Sequence, residues 1–155
     1  MDRPSFPTIY MNLAKNLAAR STCSRLKVGC VITDLHFRQV LAIGYNGNFA
    51  GGPNQCDCTT PGACGCLHAE DNACIKCPPN GRESRRVFLT HSPCVQCAKR
   101  LINLGGIFSL HFASVYRDTN GLKLIAENAP IYIYQLDESG RETRFTSLGQ
   151  RNHDH

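Results

Sequence analysis

The sequence lacks tryptophan, contains only two methionines, and has no apolar run near the roughly 20 residues that a membrane-spanning helix needs. Its N-terminal segment also lacks the continuous apolar stretch of a secretory signal peptide. The net charge is +5, but there is no run of five like charges and no alternation of basic with aromatic residues. We therefore expect a cytoplasmic protein without membrane contact, and the pattern argues against nucleic acid as a partner.

Ten cysteines are an unusual number for a protein of that compartment. Disulfides are rare in the reducing cytoplasm, so clustered cysteines there more often bind a metal or react. The chain has 155 residues, which is enough for one domain to bury a core without covalent staples. The cysteines therefore indicate metal chemistry rather than a disulfide scaffold.

Hydrophobic periodicity predicts one α/β domain over residues 1–136, followed by a polar tail over residues 137–155. An amphipathic helix at 6–20 precedes two β-rich runs at 27–34 and 38–46, which form a hairpin. Helices and strands then alternate as helix 68–77, strand 85–91, helix 93–104, strand 107–116, a short helix around 122–125 and strand 131–136. Such alternation indicates parallel strands joined by right-handed crossovers. The predicted fold is a three-layer α/β/α sandwich with a mixed five-strand sheet.

Three residues are candidate metal ligands: His68, Cys94 and Cys97. Zinc binds imidazole and thiolate, and catalytic zinc sites keep one position open beside three protein ligands. The cysteines lie three residues apart in the first turn of a helix that we expect to begin with Ser92 as N-cap and Pro93 at the first position. The helix dipole favours thiolates there. His68 is expected to begin the preceding helix, so two helix N-termini would point at one metal.

Glu70 lies two residues after His68, and the two side chains can serve one site only at the mouth of a helix. Zinc lowers the pKa of a bound water to about 7, and a carboxylate beside it can take that proton and pass it on. This chemistry suits attack on an amidine carbon, such as C4 of cytosine, followed by loss of ammonia. HAE together with PCVQC at 93–97 is the zinc-deaminase signature, in which the glutamate is the acid/base. We interpret a second CxxC, Cys74 and Cys77, as core or surface thiols because it lies late in its helix.

Four segments resemble the deoxycytidylate deaminases, within the cytidine and deoxycytidylate deaminase superfamily: RSTCSRLKVGCVI at 20–32, GYNGNFAGG at 44–52, HAEDNA at 68–73 and THSPCVQCAK at 90–99. The resemblance covers roughly residues 5–136. It implies that a zinc-dependent enzyme of cytidine-deaminase-like fold hydrolyses dCMP to dUMP and ammonia, which supplies dUMP for thymidylate synthesis. It also implies zinc on His68, Cys94 and Cys97 and proton transfer by Glu70.

The same resemblance implies a substrate site. It places Asn46 at the sugar, and the backbone around Ala69 and Ser92 at the edge of the cytosine ring. The candidates for the phosphate end are Arg25, Arg20 and Tyr116.

The resemblance further implies regulation and assembly. Members of this family are commonly hexamers that dCTP activates and dTTP inhibits through a site near the GYNG segment. Gly47, Asn48 and Gly51 are therefore candidate effector contacts, and magnesium would accompany a triphosphate effector. Phe49 stands where the family usually has proline, which bears on the shape of this loop and on its regulation.

Residues 47–66 form a loop rich in glycine and cysteine that has no periodicity. So long an irregular loop is uncommon in a compact domain, and a bound metal would explain it. Several relatives carry a structural zinc on cysteines that match Cys23 and Cys56. Five cysteines compete for four places in such a site. The favoured set is Cys23, Cys56, Cys64 and Cys66, with Cys58 as the substitute.

Two alternatives stay open. The same chemistry could act on another cytosine- or adenine-type substrate, such as a nucleoside or a tRNA base. The chain could instead be a zinc-organised binding module without activity, which the cysteine loop and the positive charge permit. Glu70 weighs against the module, because a purely structural site has no use for a carboxylate beside an open position.

Overall fold

The structure is a computed structural model and describes residues 3–60, 62–79 and 81–147. No helix in this part of the chain is long and apolar enough to cross a membrane. The described residues form four helices and six strands: α1 (Phe6–Ala18), β1 (Gly29–Asp34), β2 (Val40–Tyr45), α2 (Ala69–Lys76), β3 (Arg85–His91), α3 (Val95–Leu104), β4 (Ile107–Ser114), α4 (Asn120–Asn128), β5 (Tyr132–Leu136) and β6 (Glu142–Phe145).

All six strands form one mixed sheet in the order β2-β1-β3-β4-β5-β6. β1 is antiparallel to both β2 and β3, while β3, β4 and β5 run parallel, as the alternation of strands and helices predicts. The sequence predicts five strands, and the structure has a sixth. This strand, β6, pairs antiparallel with β5 and lies in the segment that was expected to be a polar tail. This strand has four residues and one large apolar side chain, Phe145, which packs against the main core. A run of four residues is too short to show the alternating hydrophobic pattern of a strand. Residues 148–155 of the expected tail lie outside the described residues.

Helices cover both faces of the sheet, so the three-layer prediction is confirmed. On one face α1 places Met11 and Ala14 against Val31, Phe88 and Leu136. On the other face α2, α3 and α4 bury the larger apolar cluster, in which Leu101 and Ile125 meet strand residues. The N-termini of α2 and α3 therefore lie on the same side of the sheet.

A glycine in β2 sets the distance between α2 and the sheet. A Cβ atom on Gly44 would collide with the Ala69 carbonyl and would lie 2.7 Å from the Ala73 amide nitrogen. The first turn of α2 therefore lies directly on the β2 backbone. Because His68 caps this turn, the glycine also places His68 and Glu70.

The start of α3 differs from the prediction. Cys94, not Ser92, is the N-cap, and its sulfur accepts a hydrogen bond from the Cys97 amide at 3.4 Å. Ser92 is held by the sheet instead. Its amide donates to the Ser114 carbonyl, and its hydroxyl oxygen accepts from the Tyr116 amide. These bonds tie Ser92 to the end of β4 and to the residue two positions beyond it, and the N-cap lies two residues later than predicted.

Candidate active site

The three predicted ligands converge where α2 and α3 begin. His68 Nδ1 lies 3.2 Å from Cys97 Sγ and 3.6 Å from Cys94 Sγ. A tetrahedral zinc with bonds of about 2.0 Å to nitrogen and 2.3 Å to sulfur would separate these atoms by about 3.6 Å. The spacing and the donor types therefore fit a zinc ion. Three ligands leave one tetrahedral position for water.

The charges of the cluster also suit a cation. Hydrogen bonds from the Cys97 thiol and from His68, together with the Cys97 amide, lower the pKa of Cys94 to about 4 against the cost of burial. The hydrogen bond to the Cys94 thiolate and burial raise the pKa of Cys97. The same thiolate raises the pKa of His68. The Cys94 thiolate thus favours the protonated forms of Cys97 and His68. A divalent ion bound to the same atoms would displace both protons.

Glu70 lies next to this cluster and is 4% exposed. Burial raises the pKa of its carboxyl, and a hydrogen bond from Cys97 and the charge of His68 offset part of that shift. A raised pKa makes the carboxylate a stronger base than a free one, which suits a group that takes up and returns a proton during hydrolysis.

A cavity of about 310 Å³ opens from this cluster. His68, Glu70 and Cys94 line it, together with five of the residues predicted for the substrate: Arg25, Asn46, Ala69, Ser92 and Tyr116. The structure does not bring Arg20 to this cavity. Its guanidinium lies 5.9 Å from the centre of the Tyr45 ring.

Asn46 is buried, and its carboxamide holds the neighbouring chain. Its Oδ1 accepts from the Val28 amide at 2.8 Å, and its Nδ2 donates to the Leu26 carbonyl at 2.6 Å. A carboxamide has two acceptor and two donor positions, so one of each remains for a ligand. Asn46 can therefore shape the cavity wall and still contact a substrate.

Two charged residues that line the cavity after β4, Arg117 and Asp118, were not predicted from the sequence. Arg117 adopts a left-handed backbone conformation with φ of 50°, which is uncommon for a residue other than glycine. Its guanidinium carbon lies 5.1 Å from the centre of the Tyr116 ring. The only available signal was position, because loops that follow parallel strands meet at one edge of a sheet.

A second cluster contains the four cysteines of the favoured set, Cys23, Cys56, Cys64 and Cys66, whose sulfur atoms all lie within 4.8 Å of one another. Cys56 Sγ lies 3.8 Å from Cys23 Sγ and 3.6 Å from Cys66 Sγ. A tetrahedral zinc with sulfur bonds of about 2.3 Å separates its sulfurs by about 3.8 Å. These four cysteines, here called the thiol tetrad, therefore fit a closed structural zinc site.

The electrostatics of the tetrad suit the same interpretation. Hydrogen bonds from the Ser24 hydroxyl and amide lower the pKa of Cys56 to about 7, whereas burial raises the pKa of Cys66. Cys58 turns away, and its thiol donates to the Ala63 carbonyl at 2.7 Å. The fifth candidate thus lies outside the tetrad.

The remaining CxxC belongs to the core. Cys74 and Cys77 are partly buried and pack against the main apolar cluster. Burial raises the pKa of Cys74 to about 12, so its thiol stays protonated. Neither cysteine belongs to the metal-ligand clusters of the described residues.

The predicted effector residues lie outside the cavity. Gly47 pairs with Leu67 in an isolated bridge, and Asn48 donates to Asp57 at 3.2 Å. Gly51 has a φ of 82°, and the neighbouring Phe49 is 62% exposed. An effector bound there would contact a surface distinct from the cavity.

Comparison with known proteins agrees with this site. The family model described as the cytidine and deoxycytidylate deaminase zinc-binding region matches residues 5–113. ComE operon protein 2 of Bacillus subtilis is 33% identical over 88% of this chain and 74% of its own. Deoxycytidylate deaminase of Saccharomyces cerevisiae is 33% identical over 86% of this chain but only 46% of its own. This chain therefore spans about half of the yeast protein.

A solved structure confirms the fold. The dCMP deaminase from the cyanophage S-TIM5, in complex with dCMP and dUMP, matches with a TM-score of 0.74 and 28% sequence identity. The match covers 88% of this chain and 100% of the cyanophage chain. The family model, which spans well over half of the chain, shows that this protein belongs to the cytidine and deoxycytidylate deaminase family of enzymes.

Proposed function

We propose that this protein hydrolyses dCMP to dUMP and ammonia with zinc held by His68, Cys94 and Cys97. The observation that carries the proposal is a three-ligand cluster with a buried carboxyl beside it, at the floor of a cavity of about 310 Å³. The relatives support this choice of substrate, because yeast deoxycytidylate deaminase and the cyanophage dCMP deaminase are both named for it.

The protein's own groups divide the work. Zinc, when bound, supplies a Lewis acid and a water of lowered pKa. Glu70 takes a proton from the water that attacks C4 of the ring and passes it to ring N3. It then moves the remaining hydroxyl proton to the departing amino group, so that the C4 carbonyl of uracil forms and ammonia leaves. Burial stabilises the protonated carboxyl between these transfers. The Ser92 amide donates to the Ser114 carbonyl of β4, so of its two backbone groups only the carbonyl remains for the amino group. Ala69 lines the same cavity.

The rest of the nucleotide occupies the outer cavity. Asn46 has one donor and one acceptor left for the sugar. Arg25, Tyr116 and Arg117 all line the cavity and would contact the phosphate. A guanidinium suits a phosphate because its N–H groups match two oxygens at once. The resemblance also assigns Arg20 to this end, but Arg20 does not line the cavity and is not part of this proposal.

The wider predictions are part of the same proposal. The dUMP formed would feed thymidylate synthesis in the cytoplasm. The thiol tetrad would hold a second, structural zinc. A hexamer would be activated by dCTP, with magnesium, and inhibited by dTTP at Gly47, Asn48 and Gly51. What supports an effector site is that these three residues lie away from the cavity.

One assay tests substrate and regulation together. Ammonia release is measured with dCMP, deoxycytidine and cytidine, each alone and with dCTP or dTTP. The proposal expects dCMP to have the highest kcat/KM, since only a monophosphate can use the arginines. Equal or better turnover of the nucleosides would contradict the substrate, and no turnover of any of them would favour the binding module.

A further inference from the structure

The thiol tetrad and the catalytic cluster lie on one cavity. Cys23, Cys64 and Cys66 line it together with His68 and Glu70. Cys56 is the one tetrad member that does not line it. A structural metal site could lie anywhere on the surface, so its place in the wall of the catalytic cavity needs an explanation.

The loop that carries three of these cysteines has no apolar anchor. In the part of the chain that the structure describes, neither apolar cluster includes a residue between 47 and 67. The loop closes on itself instead, through the Gly47–Leu67 bridge and a 2.7 Å hydrogen bond from the Asp57 amide to the Cys64 carbonyl. Those bonds give it a shape but do not attach it to the domain.

Sulfur atoms make that attachment. Among the described residues, every hydrogen bond between 47–67 and 21–28 involves a tetrad sulfur. The Ser24 amide and hydroxyl both lie 3.4 Å from Cys56 Sγ, which itself lies 3.8 Å from Cys23 Sγ. Such thiol contacts are weak by themselves, whereas four bonds to a metal would be strong.

The tetrad member Cys23 lies two residues before Arg25, which lines the cavity. Arg25 follows Cys23 closely in the chain, and extended residues advance by about 3.3–3.6 Å each, so its Cα lies within roughly 7 Å of the cysteine's. Arg25 and Leu26 both line the cavity. The position of Cys23 thus constrains Arg25 at one end of this wall, whereas Asn46 holds the other end at Leu26 and Val28.

We infer that a metal ion bound by the thiol tetrad fastens the loop to residues 23–28 and so builds the substrate-binding wall of the cavity. The four cysteines are positioning residues, and the tetrad metal controls substrate affinity rather than the chemical step. Without the metal, the loop and Arg25 must be ordered each time a substrate binds, and that ordering weakens binding. The inference rests on the proposed function for its choice of ligand.

Cys56→Ser tests this, because Cys56 belongs to the tetrad but does not touch the cavity. Cys58→Ser is the matched control in the same loop. For each variant we would measure zinc per chain, the Kd of dUMP, and kcat and KM for dCMP. Cys56→Ser is expected to lose one of two zinc ions and to raise KM and Kd about tenfold, with kcat little changed. Cys58→Ser is expected to match the parent protein. Loss of the second zinc without a change in KM or Kd would overturn the inference, as would a parent protein that binds one zinc only.

A second variant covers the case in which the serine variant fails to fold. Cys56→His keeps a metal ligand, so titrating zinc into it should lower KM as the second ion binds. Hydrogen exchange of residues 21–28 provides a readout independent of substrate, and these amides should exchange faster when the tetrad is empty. Failure of the parent to deaminate dCMP would contradict the proposed function, whereas unchanged exchange on zinc loss would contradict this inference.

Discussion

His68 Nδ1 and Cys97 Sγ lie 3.2 Å apart although 29 positions separate the two residues in the sequence. The contact exists because α2 and α3 lie on the same face of the sheet with their N-termini together. His68 is the N-cap of one helix, and Cys97 is in the first turn of the other. The catalytic cluster is therefore a meeting of two helix starts, and perturbing either helix should perturb the metal.

Glu70→Gln should abolish most of the activity while the metal stays bound. The amide has nearly the same shape as the carboxyl, but it cannot take and return a proton. We expect kcat to fall by about 10²–10⁴, the usual worth of a positioned acid/base. Ammonia release gives the rate, and metal analysis should show the zinc content of the parent. Retained turnover in this variant would contradict the role of Glu70.

Cys97→Ser should remove the catalytic zinc. Its thiol is fully buried and is one of three ligands, so the remaining two hold zinc far more weakly. Activity should fall to background, and Tm should fall because metal binding no longer stabilises the folded state. Cys77→Ser is the control, since Cys77 belongs to the second CxxC and to neither cluster. Loss of zinc from the control but not from Cys97→Ser would reverse the assignment of the two motifs.

Arg25→Ala should weaken binding of the nucleotide more than binding of the nucleoside. A hydrogen bond to a charged group is worth about 1.5–3 kcal/mol, so KM for dCMP should rise by about 10- to 100-fold. KM for deoxycytidine, which lacks the phosphate, should change little. Arg20→Ala is the matched control, because Arg20 lies outside the cavity. An equal effect of both substitutions on both substrates would argue against a phosphate contact.

Gly44→Ala should destabilise the protein and damage the site. The added Cβ would meet the Ala69 carbonyl, so α2 must move away from β2. Overpacking of this kind costs about 1–3 kcal/mol of unfolding free energy, measurable by urea denaturation. Gly52→Ala is the control, since the atoms nearest its added Cβ belong to the exposed Phe49 ring, which can move aside. Zinc affinity should fall along with stability in Gly44→Ala, because His68 moves with the helix.

Much of the fold followed from local patterns. The alternation after residue 66 predicted the parallel order of β3, β4 and β5, and the β-rich runs before it predicted the β1–β2 hairpin. The sixth strand escaped because Glu142–Phe145 is short and mostly polar, and its pairing with β5 depends on the preceding turn. There Asp137 Oδ1 accepts from the Ser139 and Arg141 amides. Short-range propensity contains little of that information.

The candidate site, like the fold, could be predicted from the sequence only in part. His68, Glu70, Cys94 and Cys97 were predictable because zinc chemistry demands particular donors at particular spacings. Arg117 was not, because its place at the cavity depends on the turn after β4. The sequence favoured Cys56 over Cys58 only through the resemblance, since no spacing rule separates two cysteines of the same irregular loop. The fold decides between them by turning the Cys58 thiol towards the Ala63 carbonyl.

The sequence by itself determined which atoms can bind metal and which carboxyl can move protons, because donor chemistry and helix-start spacing are local properties. Only the tertiary structure decided that the thiol tetrad and the catalytic cluster share one cavity, that Arg25 lines it and that Arg20 does not. Those facts depend on how α1, the cysteine loop and β4 come together. Packing between distant segments leaves no periodic signal in the chain.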